Sequence, residues 1–504
     1  MATSLYTAAQ VRELDQAAIR TLRIPGYTLM QRAADAAFRV LRARWPQARH
    51  IVVLCGAGNN GGDGYVVARL AREAGLSADV IALTEPSGQG DAARACADWR
   101  AGGGTILPAS ADLPVADVYV DALFGTGLAR AVGGAACRLI EQLNASGRPR
   151  LSLDVPSGLN ADTGDVLGIA VRATATMTFV AHKRGLFTGA AADHCGELIL
   201  DTLGLPETLY TLCTADARLL DARALMHWLP VRPNGAHKGA FGHVLAIGGD
   251  VGMGGAIRLA GEAALRVGAG LVSVATRAEH VSALNAARPE LMAHGVGVAD
   301  AATLEPLLQR ASVIALGPGL GQGDWSRALW QAALAAGRST VLDADALNLL
   351  AHAPVSLPAN SVLTPHPGEA ARLLGCDTAE IAHDRFAAVR AIAKRHAAVV
   401  VLKGAGSLIA RPDGEVAVCP WGNPGMASGG MGDVLTGVVA GLLAQGLDAW
   451  RAACLGVGLH AQAGDIAAQS GQAGVLASDL FKPLRKLRNA GAIKAGAIDA
   501  EATE

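Results

Sequence analysis

Aromatic residues are scarce, at 4% of a 504-residue chain, so the hydrophobic 51% consists mostly of small aliphatic residues alternating with 62 glycines. That composition suits buried parallel sheets covered by helices. Charge is thin at 17%, and 43 Lys and Arg against 44 Asp and Glu leave a net −1. Without a basic excess or a polybasic run, neither nucleic acid nor a membrane surface is expected as a partner. No apolar run reaches the roughly 18 residues of a membrane span; even the run after Asp433 stops at Gln445 and Asp448. Arg12, Glu13 and Asp15 stand where a signal peptide carries its apolar segment. The eight cysteines show no CxxC pair and no nearby His at zinc spacing. Reduced thiols in a soluble, cytoplasmic protein follow as the expectation. No GxxxxGK[ST] occurs, which excludes a P-loop.

What is present is a chain of βαβ signals, with length and apolar content for two or three cores. Thr7 with Gln10 forms a capping box, and Val11, Leu14, Ala18 and Leu22 follow at helical spacing. From residue 50 the run RHIVVLC, the glycine loop GAGNNGGDG, the helical YVVARLAREAG and the strand SADVIAL make a βαβ unit. ADVYVDA, RPRLSLD, ATMTFVA and GELILD read as further strands. Strand character fades between Asp201 and Pro233, through Pro206 and Pro230, which places a domain boundary near 205–230. A second series follows: GHVLAIGG, a small-residue helix from about Gly254, LVSVATR, SVIALGPGLG, STVLDAD, SVLTPHPGE, AVVVLKGAG, and a PDG turn between short strands. The fold class expected is α/β, with two doubly wound domains at 1–215 and 225–492 and a flexible tail at 493–504.

Three loops of the first half carry chemistry at strand ends. Gly56 to Gly61 satisfies GxGxxG between a strand and a helix, a cradle for pyrophosphate. NNGGD places Asn59, Asn60 and Asp63 among glycines, where plain dinucleotide turns use small residues; a bare helix cap at Asp63 is the bland alternative. DALFGTGL from Asp121 and DVPSG from Asp154 each begin with a carboxylate. In a doubly wound sheet such loops share one crevice, giving phosphate-binding amides beside oxygen ligands from Asn60, Asp121 and Ser157 that suit a hard cation.

In the second half, lysine is rare: seven of the 43 basic residues. Lys238 in HKGAFG and Lys403 in LKGAGS, both in glycine loops, therefore stand out as phosphate partners. The strongest signal is NPGMASGGMGD, ending at Asp433 and followed by the apolar helix VLTGVVAGLLA. Its glycines let backbone approach phosphoryl oxygens while free N–H groups at the helix start aim at developing charge. Asp433 at that focus is the candidate base, a simple cap being the alternative.

GNNGGDG, DALFGTGL and DVPSGLNADTG, in that order, resemble the epimerase domain of NAD(P)H-hydrate repair enzymes over about residues 8–205. The resemblance implies a Rossmann-like three-layer sandwich that interconverts R and S hydrates of NADH and NADPH. It places Asn59, Asn60, Gly61, Gly62 and Asp63, the loop Gly125, Thr126, Gly127, Leu128, Ala129, Arg130 and Ala131, and Asp154 against the hydrated dinucleotide, with potassium on Asn60, Asp121 and Ser157. Asp154 is the expected acid/base group. HKGAFGHVLAIGG, MGGAIRLAGEAALRVGAG, GPGLG, TPHPGEAARLL, LKGAGS and SGGMGD resemble the ADP-dependent NAD(P)H-hydrate dehydratase of the ribokinase-like superfamily over about 230–488. By that resemblance Ala256, Gly319, His366 and Asp433 meet the hydrate. Lys403, Gly404, Ala405, Gly406, Ser407 and Gly432 hold ADP, with Mg2+ on its phosphates. Met431 and Asp250 depart from the pattern. The implied function is bifunctional repair of NADHX and NADPHX by a homo-oligomer. A vitamin or sugar kinase fused to a dinucleotide-binding domain, and a nucleotide-sensing scaffold, are the alternatives.

Overall fold

The computed structural model describes residues 3–110, 112–297 and 301–489, so the tail expected at 493–504 lies outside the described residues. The chain forms two compact units, one of Ser4–Ala217 and one that runs from Arg218 and includes Thr3.

The first unit opens with a short strand β1 (Ser4–Leu5) and the helix Ala8–Thr21, whose Thr7–Gln10 capping box is present as the sequence indicated. Val11, Leu14 and Ala18 are buried along it, while Leu22 is its exposed C-cap. Then come β2 (His50–Cys55), β3 (Ser77–Ala82), β4 (Ile106–Pro108), β5 (Val118–Ala122), β6 (Arg150–Leu153), β7 (Ala175–Phe179) and β8 (Glu197–Asp201). They form one sheet in the order β4-β3-β2-β5-β6-β7-β8, parallel throughout. The two faces of β2 show why the architecture has three layers. Ile51, Val53 and Cys55 enter one apolar cluster with the helices Gly26–Arg44 and Asn59–Glu73. Val52 and Leu54 enter another with Leu139, Ile140 and Leu143 of the helix Gly134–Ala145. A strand buried on both faces needs a continuous apolar run, which HIVVLC supplies.

The second unit contains β9 (Ala217–Leu219), β10 (His243–Ile247), β11 (Leu271–Thr276), β12 (Met292–Gly295), β13 (Val313–Leu316), β14 (Ser339–Leu342), β15 (Val362–Leu363), β16 (Val399–Leu402), β17 (Leu408–Ala410) and β18 (Val416–Val418). Their order is β9-β18-β17-β16-β15-β14-β13-β10-β11-β12, parallel from β16 to β12, with β16, β17 and β18 antiparallel around the PDG turn. Besides the two-residue β1, three strands escaped the sequence pattern: β4, β9 and β12. Each has three or four residues, too few to display an alternation of period two. β9 falls where the chain seemed to lose strand character; Arg218 and Leu219 pair with Ala417 and Val418 of β18.

In both sheets the chain winds outward, then returns beside its starting strand: β2–β3–β4 then β5, and β10–β11–β12 then β13. Ligands of such sheets bind outside the carboxyl ends of the strands where the order reverses. The loops after β2 and β5, and after β10 and β13, are therefore the places to look.

Candidate active sites

In the first unit, the close approach of the helix Asn59–Glu73 to the sheet depends on glycine. A side chain at Gly61 would run into the Gly56 carbonyl, and one at Gly64 would stand 2.7 Å from Ala122 Cβ. Gly62 is likewise buried, and its N–H is spent on the Gly58 carbonyl at 3.0 Å. Gly61 and Gly62 thus serve packing in this loop. Asn59 is exposed, and Asn60 faces the Gly125 loop: the Cβ position of Gly125 lies 3.3 Å from Asn60 Cβ and 3.4 Å from Asp154 Oδ2.

Asn60 has an unusual environment. Both polar atoms of its amide are shielded from solvent and lack a hydrogen-bond partner among the described residues, a state that costs free energy unless a ligand completes it. Beside it, Ser157 Oγ accepts from Phe124 N at 2.8 Å and donates to Phe124 O at 3.2 Å. Asp121, 0% exposed, accepts from Ser157 N and Ser152 Oγ, each at 2.8 Å. Burial pushes the Asp121 carboxyl up. Ser157 thus joins Asp121 to the Phe124–Gly125 turn against which Asn60 lies, and amide, hydroxyl and carboxylate oxygens are the donor types that suit potassium. The Gly125–Ala131 loop lies largely open, with Gly127, Ala129, Arg130 and Ala131 exposed.

Asp154 follows β6 at φ +65°, a left-handed conformation rare outside glycine and concentrated at functional sites. Its Oδ1 accepts directly from Lys183 Nζ. Lys183 is 1% exposed; the same ammonium donates to Thr178 Oγ1 at 2.9 Å and Phe179 O at 2.8 Å. Two more carboxyls surround the pair. Asp63, 9% exposed, is pushed well up by burial, with Asp154 and Asp15 adding repulsion. Asp15 is raised by burial and by Asp154. Lys183 is the residue the sequence reading passed over. The rarity of lysine that singled out Lys238 and Lys403 applies to it equally, but it follows a strand rather than sitting in a glycine loop.

In the second unit the loop after β10 meets the loop after β13. Gly319, at φ +58°, would put a side chain 2.8 Å from Met253 Cβ and 3.2 Å from Ala256 Cβ, so the expected hydrate contacts Ala256 and Gly319 adjoin. Asp250 ties this loop down, donating N–H to Gly319 O at 2.6 Å and accepting from Arg277 Nε at 2.7 Å. Met431 is buried at 6% in the core, pointing its departure from the family pattern inward.

Asp433 sits in the first turn of the helix Met431–Ala444, behind Gly430 at φ +90°. It makes no capping bond, and no hydrogen bond or ion pair is found for it among the described residues. Burial raises its carboxyl to about 7, with Asp343 and Glu369 adding repulsion and Lys403 opposing them. Lys403 Nζ pairs with Asp343 Oδ1 at 2.7 Å and approaches Glu369 Oε2 at 3.7 Å. Burial pulls this ammonium down, yet the two carboxylates outweigh it and hold it above its ordinary value. Asp343, 1% exposed, also accepts from Thr436 Oγ1 at 2.8 Å; burial works against its charge, but Lys403 prevails and its pKa falls. The Cβ position of Gly432 lies 3.2 Å from Lys403 Nζ and 3.5 Å from Asp343 Oδ2. The ammonium therefore lies under the helix start, beside the candidate base. Gly404, Ala405, Gly406 and Ser407 leave it as an open turn closed by Ser407 Oγ on Gly404 O at 2.9 Å.

His366 caps the helix Pro367–Leu374: its Nδ1 accepts from Gly368 N at 3.0 Å, and Nε2 lies 3.3 Å from Glu369 Oε1. Half its side chain remains exposed toward solvent. Lys238 is exposed in a single 3-10 turn. Asp343 and Glu369 went unnoticed in the sequence because STVLDAD and TPHPGE read as strand ends, and only folding brings them under Asp433.

Two family models match the chain: that of the NAD(P)H-hydrate dehydratase over residues 244–486 and that of the YjeF-related protein N-terminus over 26–185. Over 490 residues it is 50% identical to the bifunctional NAD(P)H-hydrate repair enzyme Nnr of Coxiella burnetii, covering 97% of this chain and all of that one. The Escherichia coli enzyme of the same name is 45% identical over 489 residues, covering 96% and 94%. Among solved structures, a ribokinase-like superfamily protein from Enterococcus faecalis matches at TM-score 0.52 and 31% identity, over 55% of this chain and 98% of that one. The Bacillus subtilis ADP/ATP-dependent NAD(P)H-hydrate dehydratase, co-crystallised with ATP and Mg2+, matches at 0.50 and 31%, over 54% and 98%.

Proposed function

The chain belongs to the bifunctional NAD(P)H-hydrate repair enzymes, and from that premise we propose how its two sites divide the work. Residues 1–215 carry the epimerase, centred on Asp154, and residues 225–492 carry the nucleotide-dependent dehydratase, centred on Asp433. The observation that carries the dehydratase assignment is the unpartnered Asp433 carboxyl, raised to about 7 at the start of a glycine-preceded helix. A base tuned near neutral pH takes a proton efficiently and still ionises.

In the dehydratase, the S hydrate lies against Ala256, Gly319 and His366, and ADP lies along Lys403–Ser407 and Gly432. Asp433 removes the proton of the C6 hydroxyl, whose oxygen attacks the terminal phosphoryl of ADP and releases AMP. Phosphate then leaves C6, driven by the ring nitrogen lone pair, and loss of a C5 proton restores the dihydronicotinamide. Lys403 keeps its charge beside the transferring group. Magnesium brought in on the nucleotide phosphates would neutralise their charge. In the epimerase, Asp154 moves the proton at the C6 oxygen while Lys183 holds the carboxylate in place. The free N–H groups of Asn59, Asn60 and Gly61 face phosphate, and Asn60, Asp121 and Ser157 offer potassium its oxygens.

Incubation with an R and S mixture of NADH hydrate and ADP tests the reading. Full recovery of NADH with one phosphate and one AMP per NADH is expected. A stable phosphorylated product would point to a kinase, and recovery that stops at the S half would remove the epimerase.

A further inference from the structure

The helix Gly254–Val267 packs inward through Ala260, Ala264 and Val267: the helix Met431–Ala444 has glycines at 437 and 441 where side chains would stand 2.8 Å from Ala263 Cβ and from the Ala264 carbonyl. Two residues out of phase, Arg258, Glu262 and Arg266 recur every fourth position and share the opposite face. With Arg288, and with Lys482 and Arg485 of the helix Phe481–Asn489, they line a cavity of about 350 Å³ floored by Phe481. A second cavity of about 380 Å³ shares Glu262, Arg266, Arg288 and Arg485, and adds Arg232, Arg488 and Glu290. The two form one groove in which seven cationic side chains face two carboxylates, in a chain whose net charge is −1.

The internal pairing accounts for only part of this charge. Glu262, 2% exposed, is shared by Arg266 Nη2 at 3.0 Å and Arg288 Nη2 at 2.6 Å, so one carboxylate serves two guanidiniums. Arg288 Nη1 also lies 3.9 Å from Glu290 Oε2, while its Nε is shielded from solvent with no hydrogen-bond partner among the described residues. Arg232 and Arg488 donate to the backbone carbonyls of Gly268 and Val267, which satisfies their N–H groups and leaves their charge uncancelled. For the side chains of Arg258, Lys482 and Arg485 no hydrogen bond or ion pair is found among the described residues; Arg485 accepts from Asn489 only through its backbone carbonyl. Like charges gathered at a concave wall repel one another and raise the local concentration of anions. Guanidiniums on two helices, with an apolar floor between, match a phosphate-bearing small molecule, since forked donors recognise phosphate oxygens in pairs.

We infer that this groove, built by the helices Gly254–Val267 and Phe481–Asn489, binds a small molecule carrying two or more phosphate charges, at a site separate from the Asp433 centre. Arg258, Lys482 and Arg485 supply the free contacts, and Glu262 holds Arg266 and Arg288 in position.

Calorimetric titration of the full chain with inorganic pyrophosphate tests it, beside R258A/K482A/R485A and K403M. The triple variant should keep the melting temperature and the dehydratase turnover of the parent yet bind pyrophosphate at least about tenfold more weakly at the groove. K403M should retain that binding. A parallel titration with adenosine 3′,5′-bisphosphate separates the sources: tighter binding than pyrophosphate, lost in the same variant, makes the ligand a nucleotide, and equal binding makes it an inorganic phosphate. Undiminished pyrophosphate binding in the triple variant overturns the site, as does loss of all binding in K403M. A triple variant that changes only its sedimentation mass also overturns it, by making the cluster an interface between copies.

Discussion

Both sites place a lysine, fully buried at Lys183 and partly buried at Lys403, beside an aspartate at a strand end, but the candidate base stands differently to the lysine in each. In the first unit Lys183 grips Asp154 itself. In the second, Lys403 is taken by Asp343, and Asp433 is left without a partner among the described residues and rises to about 7. The difference separates two tasks. A carboxylate gripped by an ammonium is held in one place, which suits a reversible exchange at C6 where the starting geometry must be recovered each cycle. A carboxyl crowded by two others and merely near an ammonium is poised to take a proton once, as phosphoryl transfer requires. A left-handed residue marks each strand end, Asp154 at φ +65° and Ala344 at φ +48° after Asp343.

The largest effect that would break this contrast is at Asp433. Asp433→Asn should lower dehydration by roughly 10²–10⁴-fold while R and S hydrates still interconvert; loss of both activities in a folded protein would mean that the sites are not independent. The same substitution should stabilise the protein in a defined pH window. The folded-state pKa lies above the unfolded value of 3.8, so ionisation costs stability from about pH 4 upward and the full cost is reached above about 7. A thermal melt should show no gain at pH 4 and a plateau of gain at pH 8; a gain at pH 4 equal to that at pH 8 would contradict the assigned pKa.

Next in size is Asp154→Asn, which should slow epimerisation by about 10²-fold and leave S hydrate repair intact. The substitution also costs stability, because it strands a 1% exposed ammonium on Thr178 and Phe179 alone. Loss of roughly 3–5 kcal/mol, the scale for breaking a buried ion pair, is expected in chemical denaturation. The double variant with Lys183→Met should recover part of it, whereas additive losses would show that the pair is not coupled.

Lys403→Met sharpens the comparison by removing the opposing charge from Asp433. The acid limb of kcat/KM for dehydration, near pH 7 in the parent, should move upward, because Lys403 is the one influence holding the Asp433 carboxyl down. An unmoved limb would dissociate Lys403 from the base and leave it a nucleotide contact alone. The smallest effect is at Asn60: Asn60→Ala should weaken potassium stimulation of epimerisation with little change in melting temperature, since its amide has no protein partner to lose. Stimulation equal to the parent's would take Asn60 out of the cation set.

How much of this was legible beforehand varies with how local the information is. The capping box at Thr7, the βαβ unit at 50–82 and the helix from Gly254 were readable, because backbone preference and side-chain period act within a few residues. β4, β9 and β12 were not, since strands of three or four residues exist through their partners. The candidate residues Asn60, Asp121, Asp154 and Asp433 could be named from glycine-rich loops, whose spacing advertises backbone that something must approach. Lys183, Asp343 and Glu369 could not, because a lone charged residue after a strand looks solvated until the fold buries it.

By itself, then, the sequence determined two α/β layers, the strand-end loops and the family, all encoded in contiguous runs. Only the tertiary structure decided which lysine meets which aspartate. That choice joins Asp154 to a residue 29 positions away and Asp343 to one 60 positions away, and it matters because the interior, poor in water, makes each such pairing set the charge of its neighbours.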